Sequence, residues 1–321
     1  MAFWPGTPTE EILRVGMLAD KAGLDSLWVT ESTLAPGRDA FTLLGALSNV
    51  TTQAKLATGI VNIFTRTPTL IASTAATLDE LSKGRTILGL GTGHQDQLTK
   101  WHSVKFEKPV TRMGEYVETV RLVLNGGPVN YQGATLAIRD FKLAFQPRRV
   151  VPIYVAAVGP KMAQLAGSTA DGVLVTLNTQ PQLKKLLAIA ATTARDRGRK
   201  IDMAAYGLSF ISDDMDMNLK AAQRVLAAYC SASFYQKLFT AAGYEREARE
   251  IANVLGTGDR QAAYDLVNDR MIGDFAALGI EETIKLVESY REAGVNLPIM
   301  SLAHTDGFEQ SASRLFSEIR R

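Results

Sequence analysis

Short apolar runs rich in Val, Ile and Leu alternate with longer amphipathic segments along most of the chain. This alternation is typical of parallel strands covered by crossover helices, so it predicts an α/β fold. Strands are expected at 26–30, 55–62, 86–90, 153–156, 172–176, 203–211 and 297–302. Helices are expected at or near 9–22, 41–49, 69–81, 112–124, from 161 onward, 182–195, 280–293 and 308–319.

Two stretches interrupt this alternation. Residues 128–147 contain two short strand patterns around turn residues, and we expect a strand-rich excursion outside the main sheet there. Residues 216–273 carry a helical pattern without any strand pattern, which predicts a helical insertion. Both are interpreted as additions to one architecture, because the alternation resumes after each of them.

The number of strands approaches eight if Ala2-Phe3-Trp4 forms a short or incomplete first strand. Eight βα units in one continuous chain favour a closed (β/α)8 TIM barrel with insertion regions over a doubly wound open sheet, whose alternation is the same. Residues 1–321 are then interpreted as one domain, since barrels with insertions regularly exceed the ~100–150 residues of an average domain. The short first strand indicates either a trimmed N-terminus or a weak first strand.

Composition and charge exclude several classes of protein. The 35 basic and 33 acidic side chains nearly cancel and are interspersed, so we expect no nucleic-acid partner. No apolar run approaches ~18 residues and no signal peptide is recognised at residue 1, so a cytoplasmic protein without membrane insertion is expected. Cys230 is the single cysteine and no histidine pair has metal-ligand spacing, so we expect neither a disulfide nor a metal site.

The carboxyl ends of barrel strands are where active sites of such folds gather. Few residues at these positions are charged, and many are Gly, Ala, Thr or Asn. This chemistry suits a planar, hydrogen-bonding cofactor held by backbone groups better than it suits metal-assisted hydrolysis. The stretches concerned are 30–32, 58–62, 91–94, 157–160 and 176–178.

Glycines at 89, 91 and 93 remove alternate Cβ atoms at the end of the fourth strand, which lets a ligand approach the backbone closely. The run lacks the third glycine of a dinucleotide fingerprint, and no helix is expected to begin at once after it. A tight turn without any ligand explains the spacing equally well. Near Pro160, free amides at the start of a helix are expected to suit a phosphate, whereas Lys161 is interpreted as exposed.

Two side chains near these strand ends are candidates for acid–base chemistry. His94 follows the glycines, where the ring of a cofactor would be touched, although a structural role fits as well. Glu31 ends the second strand and either orients a ligand, acts as acid or base, or forms a rim salt bridge. His102 and His304 are interpreted as structural or surface residues.

Several segments carry a resemblance to a known family when they are taken together. They are 19–31 (ADKAGLDSLWVTE), 56–60 (LATGI), 66–68 (RTP), 88–93 (LGLGTG), 152–157 (PIYVAA), 159–161 (GPK), 166–167 (AG) and 170–172 (ADG). The combination resembles the bacterial luciferase-like superfamily, particularly its branch of F420-dependent reductases similar to methylenetetrahydromethanopterin reductase. The resemblance covers nearly the whole chain.

The resemblance implies a barrel with insertions and a non-prolyl cis peptide at Gly59-Ile60, which backs the central ring of the cofactor. It also implies that Glu31 matches an acidic position near the polar end of the ring system. The positions implied to line the isoalloxazine or deazaflavin ring are Thr92, Gly93 and His94, and those implied to meet its tail and phosphate are Ala156, Ala157, Val158 and Gly159.

One departure from the family pattern concerns the end of the second strand. Several F420-dependent members carry Asp-His there, whereas this sequence has Glu31-Ser32. A serine is a poor general base without an activating partner, so a reaction like that of the sugar-phosphate dehydrogenases is not supported. His94 then becomes the leading catalytic candidate, because an imidazole can exchange a proton near neutral pH.

Three hypotheses follow for the function. The first is an enzyme that transfers a hydride between coenzyme F420 and an unidentified small organic substrate, as a homodimer according to the resemblance. The second is a monooxygenase that receives reduced FMN from a separate flavin reductase, and the third is a non-catalytic flavin-binding barrel. In each case the pocket is expected to be framed by the stretch after Gly91, by 128–147 and by 216–273.

Overall fold

The computed structural model describes residues 1–4, 6–31, 37–302 and 307–319, so Ser32 and His304 fall outside the described residues. The strands are β1 (Ala2–Phe3), β2 (Ser26–Val29), β3 (Lys55–Thr58), β4 (Val61–Asn62), β5 (Thr86–Gly91), β6 (Val129–Gln132), β7 (Ala137–Phe141), β8 (Ile153–Ala156), β9 (Gly172–Thr176), β10 (Asp202–Phe210), β11 (Ala276–Leu278) and β12 (Leu297–Leu302). The helices are α1 (Thr9–Lys21), α2 (Ala40–Val50), α3 (Pro68–Leu81), α4 (Gln95–His102), α5 (Pro109–Leu124), α6 (Pro160–Thr169), α7 (Gln180–Asp196), α8 (Met215–Ser231), α9 (Ser233–Ala241), α10 (Glu245–Gly256), α11 (Arg260–Asp265), α12 (Asp269–Phe275), α13 (Gly279–Glu292) and α14 (Phe308–Ile319).

The parallel strands close into a barrel. Going round it, β1, β2, β3, β5, β8, β9, β10 and β12 are neighbours, and β12 pairs with β1 to complete the ring. Only Ala2 and Phe3 form the first strand, yet they pair with β12 on one side and with β2 on the other. The predicted (β/α)8 barrel with a short first strand is therefore confirmed.

The inside of the barrel is filled by a cluster of large and small buried side chains. The ring centroid of Trp28 lies 5.9 Å from that of Tyr154 and 6.0 Å from that of Tyr206. Ala57 and Ala204 leave room for these rings, and both are fully buried. Since strands buried on both faces carry apolar residues at every position, the continuous apolar runs in the sequence follow from this arrangement.

The helices begin and end where local signals indicate. Gly23 has φ of 78° just after α1, a conformation that glycine adopts without steric cost. Thr67 caps α3 by accepting a hydrogen bond from the amide of Leu70, and Pro68 occupies the first turn. The predicted helices of the barrel are confirmed with shifts of a few residues at their ends.

The sequence pattern does not predict two elements, namely α4 and the three-residue strand β11. The expectation that no helix begins directly after the glycines is wrong, because α4 begins at Gln95 with His94 in the N-cap position. Gly93 has φ of 63° and turns the chain from β5 into this helix. Leu98 is the one buried residue of α4, so no apolar periodicity marks it in the sequence.

Both interruptions of the alternation form structures of their own. Residues 128–147 contain the antiparallel hairpin of β6 and β7, whose turn is tied to α5 by the carboxylate of Glu115, an acceptor for the amides of Ala134 and Thr135. Helices α8 to α12 build a second core around Phe210 and Phe239. The hairpin precedes β8 and the helices follow β10, so only the helices lie where barrel strands end.

Candidate active site

A cavity of about 120 Å³, here called the inner cavity, opens at the carboxyl ends of the barrel strands. It brings together most of the cofactor positions expected from the sequence, namely Gly59, Ile60, Thr92, Gly93, His94, Ala156 and Val158. Its other lining residues are Trp4, Thr30, Gly91, Leu174, Thr176, Tyr206, Leu208, Tyr229, Phe234, Tyr235 and Ser301.

A second cavity of about 670 Å³, here called the outer cavity, adjoins the inner one. Ile60, Gly93 and His94 line both, so these three residues form a shared wall. The outer cavity is lined by apolar side chains and by charged ones, with Glu31 and Arg66 among the latter. A larger cavity of about 780 Å³ lies at the opposite, amino-terminal mouth of the barrel, where active sites of this fold are not found.

The Gly59-Ile60 peptide bond is cis and not prolyl, as expected from the resemblance. A Cβ atom on Gly59 would overlap the hydroxyl of Tyr206, and this hydroxyl donates a hydrogen bond to the carbonyl of Gly59 at 3.4 Å. The bulge between β3 and β4 therefore rests on a ring that belongs to the interior of the barrel. Ile60 follows it and forms part of the shared wall.

The structure explains why residues 89, 91 and 93 are glycines, which their spacing alone did not show. A Cβ on Gly89 would overlap the carbonyl of Thr58, one on Gly91 would overlap the side chain of Ile60, and one on Gly93 would overlap the amide of Asn62. These glycines thus let the neighbouring segment between β3 and α3 approach β5. Their backbone at 91 and 93 still lines the inner cavity.

The carboxylate of Glu31 is fully engaged by its neighbours. One oxygen accepts from the amide of Asn62 at 3.0 Å, and the other accepts from Nε and Nη2 of Arg66 at 2.9 and 2.7 Å. Arg66 also pairs with Asp39, and Asn62 donates its side-chain amide to the carbonyl of Thr92 at 3.3 Å. Glu31 therefore connects the ends of β2, β4 and β5 at the edge of the outer cavity.

His94 is only 9% exposed, and its Nδ1 atom has no hydrogen-bond partner among the described residues. Its ring lies 4.9 Å from that of Tyr235 and 5.7 Å from that of Phe234, measured between centroids. Burial lowers the pKa of His94 below its ordinary value, although the nearby Asp96 carboxylate opposes the shift. A buried polar atom without a partner is uncommon, which distinguishes His94 from the other residues that line the inner cavity.

The segment after β8 offers backbone groups to a ligand. Gly159 caps α6 without a side-chain hydrogen bond, and nothing lies within 4 Å of where its Cβ would be. Ala156 and Val158 line the inner cavity, whereas the side chain of Ala157 belongs to the main core and its amide donates to Leu174. Lys161 is exposed in the first turn of α6.

Sequence reasoning missed the aromatic residues of the inner cavity. Successive side chains along β10 point alternately into and out of the barrel, and Tyr206 occupies an inward position. This alternation is a signal that could have identified it. Tyr229, Phe234 and Tyr235 come from α8 and α9, so the expectation that 216–273 frames the pocket is confirmed. The same expectation for 128–147 is wrong for both cavities, because that hairpin lies in a helix-to-strand connection at the other end of the barrel.

The described residues contain no group of three or more His, Cys, Asp or Glu side chains arranged to hold a metal ion. Within the same part of the chain, no helix combines the length and the apolar character needed to cross a bilayer.

Comparisons with known proteins agree with this architecture. The family model for luciferase-like monooxygenases matches residues 4–297. The 5,10-methylenetetrahydromethanopterin reductase of Methanolobus tindarius is 31% identical over 288 residues, which cover 88% of this chain and 87% of that protein. A putative coenzyme F420-dependent oxidoreductase of Mycobacterium tuberculosis is 27% identical and covers 94% of this chain and 93% of its own length. The solved structure of the coenzyme F420-dependent tetrahydromethanopterin reductase from Methanopyrus kandleri superposes with a TM-score of 0.85 at 25% identity, covering 100% of this chain and 98% of that one.

Proposed function

Because this chain belongs to the luciferase-like monooxygenase family, we propose that it transfers a hydride between the deazaflavin coenzyme F420 and a small organic substrate. The observation that carries the proposal is the inner cavity, in which the Gly59-Ile60 bulge, Gly91 to His94 and Ala156 line one space. The names of two similar proteins support F420 over FMN, since the oxidoreductase of Mycobacterium tuberculosis and the reductase from Methanopyrus kandleri are both named as coenzyme F420-dependent.

The residues present suit a flat ring system with a charged tail. The bulge at Ile60 and the backbone of Gly91 to Gly93 would face the ring, and they bring no charged side chain to it. The amides at the start of α6 and the open space beside Gly159 would hold the phosphate. Ligand pockets usually measure about 300–1,000 Å³, so a bound cofactor would extend from the inner cavity into the outer one.

When bound, a reduced deazaflavin supplies a hydride to an electrophilic carbon of the substrate. The heteroatom bonded to that carbon then takes a proton, and in the reverse direction it loses one. His94 would exchange this proton, because it lies at the shared wall of the two cavities and its buried Nδ1 atom has no partner among the described residues. The chain otherwise contributes binding, orientation and the exclusion of water.

Titration of the purified protein with F420 and with FMN, each oxidised and reduced, tests the choice of cofactor. We expect F420 to bind and to be reduced or oxidised with a substrate, without consumption of oxygen. The alternative is a two-component monooxygenase, which the description of the family favours. Binding of reduced FMN alone, with oxygen uptake coupled to substrate oxidation, would overturn the F420 assignment, and turnover with any substrate eliminates a non-catalytic flavin-binding barrel.

Glu31 is proposed to position the site rather than to carry a proton, since both of its oxygens are engaged. Glu31→Gln is expected to weaken cofactor binding about tenfold, because loss of its ionic hydrogen bond to Arg66 would loosen the strand ends that Glu31 connects. Calorimetric titration with the cofactor measures the loss. The pH profile of kcat should keep its shape, and a missing limb would instead identify Glu31 as the acid or base. Glu10→Gln, whose side chain is 90% exposed, is the matched control and should change neither quantity.

Two further properties belong to the proposal. We expect the protein to act in the cytoplasm, where its one cysteine, the buried Cys230, stays reduced. A homodimer is expected from the family resemblance. Light scattering coupled to size-exclusion chromatography would give the mass of a single chain if this expectation is wrong.

A further inference from the structure

We infer that the reacting part of the substrate is a flat, apolar and uncharged group with one hydrogen-bonding heteroatom. We infer further that it is selected by His94, Tyr229, Phe234 and Tyr235, here called the aromatic wall. This inference rests on the proposed function, because it names the substrate class of the same site.

The first argument is the absence of charge from the inner cavity. Among the described residues that line it, none is Asp, Glu, Lys or Arg. The charged groups nearby belong to the outer cavity, where Arg66 pairs with both Glu31 and Asp39. An ion that entered the inner cavity would therefore lose its water without gaining a partner, which is strongly unfavourable.

The second argument is the geometry of the aromatic wall. Tyr229 and Tyr235 meet edge to face with centroids 4.7 Å apart, and Phe234 meets Tyr235 in the same way at 5.4 Å. Rings at these distances and angles present both edges and faces to a further aromatic group. Burial raises the pKa of both tyrosine hydroxyls and lowers that of His94, so the wall is uncharged at neutral pH.

The third argument is that the wall is held from two sides. The helices α8 and α9 carry its phenyl and phenol rings and are supported by the second core. The hydroxyl of Ser233 donates to Asp96 at 2.7 Å, which ties the start of α9 to α4 next to His94. His94 lines the inner cavity, and its buried Nδ1 atom has no partner among the described residues. The other polar groups of the lining include the hydroxyls of Thr, Ser and Tyr residues, which are uncharged. A polarised C=O or C=N bond on an aromatic frame fits this arrangement.

Benzaldehydes with para groups of matched size and different charge test the inference. The anionic 4-formylbenzoate is compared with neutral 4-nitrobenzaldehyde, and the cationic 4-trimethylammonium benzaldehyde is compared with neutral 4-tert-butylbenzaldehyde. Binding is measured by calorimetry on the full chain without cofactor and again with F420 added, and reduction is followed by the deazaflavin absorbance. We expect each neutral probe to bind at least about tenfold more tightly than the ion of matched size. Equal or weaker binding of the neutral probes, or no binding of them, overturns the inference.

A pair of variants at Phe234 tests the role of the wall. This side chain is half-buried, so replacement is expected to leave the fold intact, which the melting temperature checks. Phe234→Lys should shift the preference toward 4-formylbenzoate by about tenfold or more, while Phe234→Leu should keep the ranking of the probes. The same preference in both variants would show that the wall does not select. Val158→Lys, also half-buried at the inner cavity, repeats the test if Phe234→Lys does not fold.

The two proposals fail in different ways. If F420 neither binds nor reacts but the probes keep the expected ranking, the proposed function is wrong and the uncharged subsite remains. If F420 reacts and a charged probe is preferred, the substrate class alone is wrong.

Discussion

Replacing His94 with alanine is expected to lower kcat by a factor of about 10²–10⁴, which is the usual contribution of a positioned acid or base. The affinity for F420 should change much less, because backbone groups and Ile60 provide most of the lining that would face the ring. Steady-state kinetics together with a cofactor titration separate the two effects. Unchanged turnover and unchanged affinity would show that His94 is scaffold.

His94→Phe is the matched control for packing. It keeps a ring beside Tyr235 and Phe234 but removes both nitrogen atoms, so kcat should fall as far as in His94→Ala. His94→Gln keeps a hydrogen-bonding group and should recover part of the orientation without recovering proton transfer. Full activity in His94→Phe would show that the imidazole ring of His94 serves only in packing.

The pH dependence gives a second measurement on the same residue. In the direction that oxidises an alcohol, His94 has to be neutral to accept a proton, and burial lowers its pKa below the ordinary value of about 6.5. Activity should therefore be full near neutral pH and fall only below about 6.5.

The free energy of unfolding is expected to fall with pH in the same direction. Because the unfolded chain binds the proton more readily, the contribution of His94 to folding is complete above about pH 6.5 and is lost as the pH falls toward the folded pKa. Acid titrations of unfolding should show a smaller loss in His94→Phe.

Gly59→Ala is expected to have the largest effect on stability, a loss of about 3 kcal/mol in the free energy of unfolding. The new methyl group would overlap the hydroxyl of Tyr206, and this ring packs against Trp28 in the filled interior of the barrel. Trp28 is fully buried, so the Tyr206 ring could shift only toward the inner cavity that it lines, at the cost of its packing against Trp28. The change should also displace Ile60 and so reduce F420 binding. Chemical denaturation measures the first loss and a cofactor titration the second.

Two comparisons make this prediction specific. Gly159→Ala should leave stability nearly unchanged, since nothing lies within 4 Å of the added Cβ. Combining Gly59→Ala with Tyr206→Phe removes the overlapping hydroxyl and should restore part of the lost stability, although the Cζ atom of the ring remains 2.9 Å away. If Gly59→Ala and Gly159→Ala are equally stable, the contact with Tyr206 does not constrain this position.

Most of the barrel could be predicted because its signals are local. Strands at 153–156, 172–176 and 297–302 are found where the apolar runs place them, and the cap residues mark several helix ends. The missed helix α4 is eight residues long with a single buried side chain, so it produces no apolar periodicity. The length and sequence of an insertion likewise do not show toward which end of a barrel it folds. For this reason the prediction that 128–147 frames the pocket is wrong.

By itself, the sequence determined the closed parallel barrel and the strand-end residues that meet in the inner cavity. The physical reason is that parallel strands all bring their carboxyl ends to one face, so residues far apart in the chain converge once the fold is known. Only the tertiary structure decided which neighbours those residues have. Tyr229, Phe234 and Tyr235 look like ordinary helical core residues in the sequence, just as Phe239 does, and packing alone turns the first three toward the cavity. The same packing explains why residues 89, 91 and 93 are glycines, and it leaves Nδ1 of His94 without a partner among the described residues.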